Sequence, residues 1–150
     1  MPIRKACIAD IKTIQALVNE FAKQEQMLPR SLNELYESVR DFIVYEEKGA
    51  IVGVCALRIM WDDLGEIRSL AIRRQYQNKG IGKRLVKRCL KEAKEIGLRR
   101  VFALTYHPLF FKKLGFRDID KAKLPQKIWS DCIKCHKFPE CDEHGVILSL

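Results

Sequence analysis

The sequence feature that most constrains the fold is a glycine turn, Gln77–Gly82, between a predicted strand, Glu66–Ile72, and a predicted helix, Gly80–Ile96. Glycines at a strand-to-helix turn allow backbone N–H groups to approach a ligand closely. A helix N-terminus adds unsatisfied N–H donors and a partial positive charge, so phosphate groups are favoured there. The spacing fits neither a Walker A sequence nor a Rossmann glycine motif, because the residues beyond Gly82 do not match. The turn therefore predicts an α/β chain with a phosphate site at the start of a helix.

Basic residues are concentrated around this turn. The chain has 28 Lys and Arg against 19 Asp and Glu, a net charge of +9, and residues 73–100 hold 11 basic and two acidic residues. Lys79, Lys83 and Arg84 surround the turn itself. Such a block indicates nucleic acid, anionic lipid or a phosphorylated small molecule as partner, unless it is only a solvated helix face. The glycine turn at its start favours the phosphorylated small molecule.

Length and composition predict one domain over residues 1–150. A chain of 150 residues with 47% hydrophobic residues can bury a core without disulfides. No apolar run approaches the roughly 20 residues of a membrane helix, and the first residues lack the apolar core of a signal peptide. We therefore expect a soluble, cytoplasmic protein without a membrane partner.

Hydrophobic periodicity predicts two helices near the N-terminus. The first follows Asp10, its predicted N-cap, and the second begins at Ser31, which has capping-box spacing to Glu34. The apolar face of the first helix consists of Ile11, Ile14, Leu17, Val18 and Phe21.

The remaining elements alternate between strands and helices. Strands are predicted at Phe42–Tyr45, Ile51–Trp61, Glu66–Ile72, Val101–Thr105, Phe116–Ile119 and Val146–Leu150. A short helix is expected at Leu109–Leu114, and residues 120–145 are expected to be largely irregular. The long helix ends at Gly97, and its apolar face consists of Ile81, Leu85, Cys89, Ala93 and Ile96. This order predicts an α/β or α+β domain with a mixed sheet.

The turn and a later segment resemble the GNAT acetyltransferases. Gln77-x-x-Gly80-x-Gly82 after Glu66–Ile72 is similar to that family's central coenzyme A motif, and Phe110–Phe116 is similar to its second signature, a short helix ending in Gly-Phe. Element order and length match over essentially the whole chain. The resemblance implies one GNAT domain with a mixed, mostly antiparallel central sheet flanked by helices, and a cysteine-containing loop before the last strand. It also implies that acetyl-CoA is the cosubstrate.

The resemblance assigns cofactor contacts residue by residue. In that family the strand before the turn splays from its neighbour, so that its backbone can pair with the pantetheine arm. The implied pantetheine contacts are Leu70, Ala71 and Ile72, for which the alternative is an ordinary strand core. The implied pyrophosphate contacts are Gln77, Asn78, Lys79, Gly80, Ile81, Gly82 and Lys83, and further cofactor contacts fall on Phe110 and Phe111.

Within the superfamily the chain is similar to the acetyltransferase domain of N-acetylglutamate synthases, in their short stand-alone form. The segments that carry this similarity are Leu28–Ser31, Glu66–Ala71, Leu104–Tyr106 and Leu124–Trp129. Unlike the long bacterial enzymes, the chain has no amino-acid-kinase-like domain, and it has Tyr106-His107-Pro108 in place of an Arg-Ser pair. The similarity implies acetylation of a small amino acid, L-glutamate, the first step of arginine synthesis.

Three cations are predicted to bind the carboxylates of such an acceptor: Arg30, Arg68 and Lys127. Arginine suits this role because its guanidinium binds carboxylates in a bidentate manner. The alternative for each is a surface charge or a partner at a helix end. Strand alternation places Glu66, Arg68 and Leu70 on one face, and charged side chains facing a cleft indicate use by a ligand.

The reaction implied by the family is direct attack of a neutral amine on the thioester, which requires a base. Glu66 occupies the position where many GNAT members keep a Glu that acts through water, although an ion pair with Arg68 is the alternative. The usual general acid is a Tyr four residues before the glycine of Gly-Phe, and Phe111 occupies that position here. Tyr106 is the candidate substitute, unless the thiolate leaves unaided, since its conjugate acid is already fairly acidic.

Six cysteines fall into two groups. Three lie in apolar contexts and are expected to be buried, namely Cys7, Cys55 and Cys89. The others, Cys132, Cys135 and Cys141, form a cluster with His136 and His144 close by. This spacing allows a tetrahedral zinc site, and reduced thiols that pack the loop are the equal alternative. A disulfide is disfavoured in a reducing cytoplasm.

Three other functions compete with acetylation of glutamate. The enzyme could acetylate another amine, such as a protein N-terminus, a lysine or a small molecule. The charge and the cysteine cluster also suit a basic nucleic-acid-binding module, although no interleaved aromatic residues accompany the charge for base stacking. Phe111 favours a non-catalytic coenzyme A sensor. Dimerisation is common in the superfamily, so a homodimer is also expected, with no interface that the residues locate.

Overall fold

The computed structural model describes residues 2–24, 29–124 and 143–150. Its helices are α1 (Ile11–Ala22), α2 (Leu32–Glu37), α3 (Ile81–Glu95) and α4 (Pro108–Lys112). Its strands are β1 (Ile3–Lys5), β2 (Phe42–Glu47), β3 (Ala50–Ile59), β4 (Leu64–Ile72), β5 (Arg100–Thr105), β6 (Arg117–Asp118) and β7 (His144–Ser149). Within these described ranges, no helix has the length and apolar character needed to cross a membrane.

The seven strands form one sheet in the order β1-β2-β3-β4-β5-β7-β6. The pairings β1–β2, β2–β3, β5–β7 and β6–β7 are antiparallel, and β4 pairs with β5 in parallel. The predicted mixed, mostly antiparallel sheet with flanking helices is confirmed. The periodicity gave no sign of β1, because three residues are too few to show an alternating pattern. The predicted cysteine-containing loop lies outside the described residues.

The chain packs into two compact units. The first unit comprises Met1–Arg58 and Ile67–Glu92, and the second unit comprises Ile59–Glu66 and Ala93–Leu150. The single domain over residues 1–150 stays a prediction.

The core of the first unit forms around α1. All five predicted positions of its apolar face are buried, which confirms the helical periodicity. They pack in one apolar cluster with α2 and the sheet, and its other members include Leu35, Phe42, Val44, Val54 and Ala71. α2 begins as predicted, because Ser31 Oγ accepts a hydrogen bond from the backbone N–H of Glu34 at 3.1 Å.

Asp10 occupies the N-cap position of α1 as predicted, but its side chain makes no capping hydrogen bond to that helix. A short 3-10 turn, Ile8–Asp10, precedes α1. Asp10 Oδ2 accepts hydrogen bonds from the backbone N–H of Cys7 at 2.8 Å and from Arg4 Nη1 at 2.7 Å, and Oδ1 accepts one from Arg4 Nη2 at 3.0 Å. The carboxylate therefore closes the turn and links β1 to α1, since the bidentate guanidinium offers it a stronger partner than a helical N–H.

Replacing Arg4 with Ala is expected to destabilise the protein by about 1–2 kcal/mol at pH 7. The Arg4 guanidinium lowers the pKa of Asp10 from 3.8 to about 2. Because the folded-state pKa is depressed, this stabilisation is present above about pH 4 and is lost as the pH falls through about 2. Urea unfolding should give a lower free energy of unfolding for the variant than for wild type at pH 7, and this difference should disappear in acid. The exposed control Lys12→Ala should have the wild-type free energy of unfolding at every pH. A difference in the free energy of unfolding that does not depend on pH would contradict this account.

The predicted helix Gly80–Ile96 is observed as α3, Ile81–Glu95. Its predicted face is buried at Ile81, Leu85, Cys89 and Ala93. Ile96 was expected on that face but is 52% exposed, because the helix ends one residue before it, and Val86 is buried instead.

The second unit is organised by β5. This strand pairs along its whole length with β7, from Arg100 opposite Ser149 to Thr105 opposite His144. On the other side, Leu64–Glu66 of β4 pair with Arg100–Phe102 in parallel. The core of this unit contains Leu64, Phe102, Leu124 and Ile147. Within the region predicted to be irregular, a 3-10 turn forms at Lys121–Lys123, and β7 begins at His144, two residues before the predicted strand.

Candidate functional site

The turn between β4 and α3 is held by backbone hydrogen bonds to β3. The N–H of Arg73 donates to the carbonyl of Val52 at 2.8 Å, and Arg73 Nε donates to the carbonyl of Ile51 at 2.9 Å. At the other end of the turn, Arg84 N donates to the carbonyl of Gly80 at 3.1 Å, which is the first hydrogen bond of α3. The N–H groups of residues 81–83 therefore precede the helical ladder, and they have no hydrogen-bond acceptor within the helix.

The turn uses two left-handed backbone positions just before α3. Asn78 has φ +63° and Gly80 has φ +84°, in the left-handed region that glycine adopts without cost. A Cβ placed on Gly80 would meet no atom within 4 Å, so the space beside this residue is open. Gln77 Nε2 donates to the carbonyl of Ile72 at 2.9 Å, so this predicted cofactor residue uses its side chain to close the turn.

Cations surround the turn. Lys79 and Lys83 are exposed, and Lys79 Nζ lies 5.5 Å from the centroid of the Tyr76 ring, a cation–π contact. Arg84 Nη1 is held by the hydroxyl of Tyr45 at 3.1 Å. Open N–H groups together with positive charges are the donor set that a pyrophosphate needs, so the residues present fit coenzyme A.

Gly53 on β3, which the sequence analysis did not single out, packs against the first turn of α3. A Cβ on Gly53 would lie 2.8 Å from Ile72 Cδ1, and 3.2 Å from both Ile81 Cγ2 and Leu85 Cδ1. Only glycine allows the first turn of α3 to pack this closely on the sheet. The available signal was a lone glycine inside an apolar strand, which typically marks a close approach of another element.

β4 carries the predicted pantetheine contacts, Leu70, Ala71 and Ile72. Ser69 has φ +55°, so the strand leaves extended geometry there, as at a β-bulge. The alternation that placed Leu70 with Arg68 is broken at this residue. Ala71 is 2% exposed in the core of the first unit, so a ligand would have to use its backbone groups.

Arg30 is the buried cation among the predicted acceptor residues. It is 8% exposed, and its Nη1 lies 3.4 Å from Glu34 Oε2. A buried charge is costly to keep, so a guanidinium in this position is a candidate for binding an anion. Lys127, the third predicted cation, lies outside the described residues.

Arg68 is half-buried on β4 among other charged groups of the first unit. Burial raises the pKa of Asp41 above its usual value, and the nearby charges of Arg58, Arg68 and Lys5 partly oppose that shift. The charges of Arg68 and Asp41 therefore interact, although the sequence did not indicate that these two residues are neighbours.

The predicted base and acid belong to the second unit. Glu66 is 2% exposed and lies opposite Phe102 in the parallel register. Tyr106 is half-buried where β5 ends, next to a turn in which the N–H of His107 donates to Thr105 Oγ1 at 2.8 Å. This places a buried carboxylate near the middle of the sheet and a phenol just after the end of the neighbouring strand.

Phe111 occupies the position of the usual general acid. It is 4% exposed, and its ring packs edge-on against Phe110 and Phe116, each with centroids 5.1 Å apart. The side chain at this position therefore serves the core of the second unit. The predicted contacts of Phe110 and Phe111 with the cofactor stay predictions.

The cysteines divide differently from the prediction. Cys55 and Cys89 are buried as expected, with sulfur atoms 3.8 Å apart, and the hydrogen bond from Cys89 together with burial raises the pKa of the Cys55 thiol. Cys7 is exposed, so its predicted burial is wrong, because the 3-10 turn carries it to the surface. Cys132, Cys135 and Cys141 lie outside the described residues. Among the residues that the structure describes, no group of three or more His, Cys, Asp or Glu side chains could hold a metal.

Comparison with known proteins agrees with this geometry. A model of the acetyltransferase (GNAT) family matches residues 8–116. The N-acetyltransferase CT2212 of Chlorobaculum tepidum, described as uncharacterised, is 40% identical over 148 residues, which cover 99% of this chain and 96% of that protein. An amino-acid acetyltransferase of Mycobacterium tuberculosis is 34% identical over 137 residues, which cover 89% of this chain and 78% of that protein.

A solved structure shows the same fold with ligands bound. The N-acetylglutamate synthase of Neisseria gonorrhoeae, complexed with coenzyme A and N-acetyl-glutamate, superposes with a TM-score of 0.89 at 31% identity. The match covers 99% of this chain and 34% of that larger chain.

Proposed function

Because this chain belongs to the GNAT acetyltransferase family, we propose that it transfers the acetyl group of acetyl-CoA to the amino group of L-glutamate, in arginine biosynthesis. The observation that carries the choice of acceptor is the buried guanidinium of Arg30, in a chain whose relatives include an amino-acid acetyltransferase. A cationic acceptor would be repelled by a site of this charge.

The two carboxylates of glutamate need cations, and the proposed ligands are Arg30, Arg68 and Lys127. Arg30 is more buried than Arg68, so its hydrogen bonds to a carboxylate would be little weakened by solvent. Arg68 is half-buried, and the charge of its guanidinium interacts with the Asp41 carboxyl. We propose that Arg30, in the loop before α2, and Arg68, on β4, each bind one carboxylate.

Acetyl-CoA, the cosubstrate, is proposed to be held by Gln77–Lys83 through its pyrophosphate. The open N–H groups before Arg84 and the open space at Gly80 support this contact. The backbone of Leu70–Ile72 is proposed to pair with pantetheine, because Ser69 takes β4 out of regular geometry just before these residues.

The proposed chemistry is direct attack in a ternary complex. Glu66 takes a proton from the acceptor ammonium through a water molecule, and the neutral amine then attacks the thioester carbonyl carbon. A C–N bond forms, the C–S bond breaks, and the thiolate leaves with the bonding electrons. Tyr106 is proposed to donate the proton that the thiolate takes up. Holding both reactants in place supplies much of the acceleration.

A cytoplasmic location is part of the proposal. Cys55 and Cys89 are free although their sulfur atoms lie 3.8 Å apart, and unpaired thiols at this distance suit a reducing compartment.

The acceptor is tested by thiol release from acetyl-CoA with each amino acid in turn, for wild type and Arg68→Ala. We expect turnover with glutamate, and in the variant a KM for glutamate raised about 10- to 100-fold, because a charge-assisted hydrogen bond is lost. The exposed Arg117 on β6 provides the matched control, since Arg117→Ala should leave the KM unchanged. Tight acetyl-CoA binding without turnover of any amino acid would contradict the proposal and favour a protein N-terminus, a lysine or another amine as acceptor.

A further inference from the structure

Two amide side chains of α1 hold the backbone of Arg30. Asn19 Oδ1 accepts a hydrogen bond from the N–H of Arg30 at 3.0 Å, and Asn19 Nδ2 donates to the carbonyl of Arg30 at 3.3 Å. Gln15 Nε2 donates to the same carbonyl at 3.2 Å. Asn19 thus pairs with both polar backbone groups of one residue, as a neighbouring β-strand would. We call this arrangement the amide clamp.

The amide clamp is built on a fixed part of the first unit. Gln15 and Asn19 lie four residues apart, so they are neighbours on the surface of α1. On the adjoining face of the same helix, Ile14 and Val18 are fully buried in the core. The helix therefore cannot shift relative to that core without exposing apolar surface, and the two amides have a rigid base.

Arg30 is also fixed from its C-terminal side. The next residue, Ser31, is the N-cap of α2 and accepts a hydrogen bond from Glu34 N at 3.1 Å. With the amide clamp on one side and the cap on the other, the backbone of Arg30 has one defined position. Its guanidinium is buried, with Nη1 3.4 Å from Glu34 Oε2.

We propose that Asn19 and Gln15 are positioning residues for recognition of the acceptor, because they hold Arg30 where its guanidinium can meet a carboxylate of glutamate. This inference rests on the proposed function, in which Arg30 binds the acceptor. A long flexible side chain loses rotational freedom when it binds a ligand, and an anchored backbone reduces that loss. The amide clamp therefore acts on affinity for the acceptor, with no contact to the reacting atoms.

The test is steady-state kinetics with glutamate for Asn19→Ala, Asn19→Asp and Gln15→Ala. For Asn19→Ala we expect the KM for glutamate to rise about 10-fold, because two hydrogen bonds to Arg30 are lost. Both kcat at saturating glutamate and the KM for acetyl-CoA should stay within about twofold of wild type. In Asn19→Asp, the side chain still accepts the hydrogen bond from the N–H of Arg30. In Gln15→Ala, Asn19 still donates to the carbonyl of Arg30. Each of these variants should therefore raise the KM for glutamate by less than Asn19→Ala does.

Asn33→Ala is the matched control, since Asn33 Nδ2 donates to Glu37 Oε1 at 3.1 Å on the exposed side of α2. This variant should have the wild-type KM. Denaturation midpoints of all variants establish that the KM is measured on folded protein, and Gln15→Ala and Asn19→Asp carry the test if Asn19→Ala does not fold.

A double-mutant cycle separates positioning from a general structural role. If Asn19 acts through Arg30, the double variant Asn19→Ala/Arg30→Ala should have the same KM for glutamate as Arg30→Ala alone. Additive effects, or a fall in kcat with an unchanged KM, would overturn the inference. A wild-type enzyme that acetylates glutamate with an Arg30-dependent KM, but with Asn19 variants like wild type, would overturn only the amide clamp. A wild-type enzyme without glutamate turnover would overturn the proposed function and the inference together.

Discussion

Glu66→Gln is expected to lower kcat with glutamate by about 100- to 10,000-fold, while the affinity for acetyl-CoA stays the same. A free amino acid carries an ammonium group near neutral pH, and the nitrogen cannot attack until a base removes a proton. Glutamine has nearly the same size as glutamate but does not accept that proton. Because Glu66 is 2% exposed beside the core of the second unit, the conservative change also avoids a cavity.

The measurement is kcat as a function of pH for wild type and Glu66→Gln. The deficit of the variant should narrow as the pH approaches the pKa of the acceptor amine, because the amine then loses its proton without help. Glu20→Gln, on the exposed side of α1, should behave as wild type. If Glu66 instead pairs with Arg68, the variant would raise the KM for glutamate and leave kcat unchanged, which would contradict the role of base.

Gly53→Val is expected to weaken acetyl-CoA binding by about 10-fold or more and to lower the free energy of unfolding by about 1–3 kcal/mol. A Cβ at residue 53 would lie 2.8 Å from Ile72 Cδ1, closer than carbon atoms tolerate, and 3.2 Å from Ile81 Cγ2, a tight contact that requires a small shift of that side chain. Ile81 is the first residue of α3, and we expect the two further methyl groups of valine to displace it together with the N–H groups proposed to bind the pyrophosphate. Gly53→Ala should show the same two effects at smaller size.

Gly145→Ala provides the control for Gly53→Val. A Cβ at Gly145 would lie 2.7 Å from the carbonyl oxygen of Ile119, so this variant should also be destabilised, but in the second unit. Titration with coenzyme A under conditions where each variant is folded gives the dissociation constants, and urea unfolding gives the stabilities. We expect the dissociation constant for coenzyme A to change in the Gly53 variants and to stay at the wild-type value in Gly145→Ala. Loss of stability at Gly53 with an unchanged dissociation constant would show that this glycine serves packing alone.

The geometry of the turn proposed to bind coenzyme A could be predicted because its determinants are neighbours in the chain. The turn Gln77–Gly82 needs glycine at a left-handed position and a helix directly after it, and Gly80 with φ +84° before α3 meets both conditions. The faces of α1 and α3 follow from periodicity for the same reason, and the one exception, Ile96, lies just past a helix end. Lys127 and the cluster Cys132–Cys141 stay predictions, since they lie outside the described residues.

The order of helices and strands, the family resemblance and the glycine turn follow from the sequence alone, because each depends on residues within a few positions of one another. Which distant residues meet depends on tertiary packing. The Asp10 side chain bonds Arg4 and makes no capping hydrogen bond to α1. Ile81 packs against Gly53, and the Asn19 side chain forms hydrogen bonds with the backbone of Arg30. The sequence offers each of these side chains many partners of similar chemistry. Which partner it contacts depends on how the helices and strands pack. Geometry that brings one of them within hydrogen-bond or van der Waals distance arises only when the core has formed.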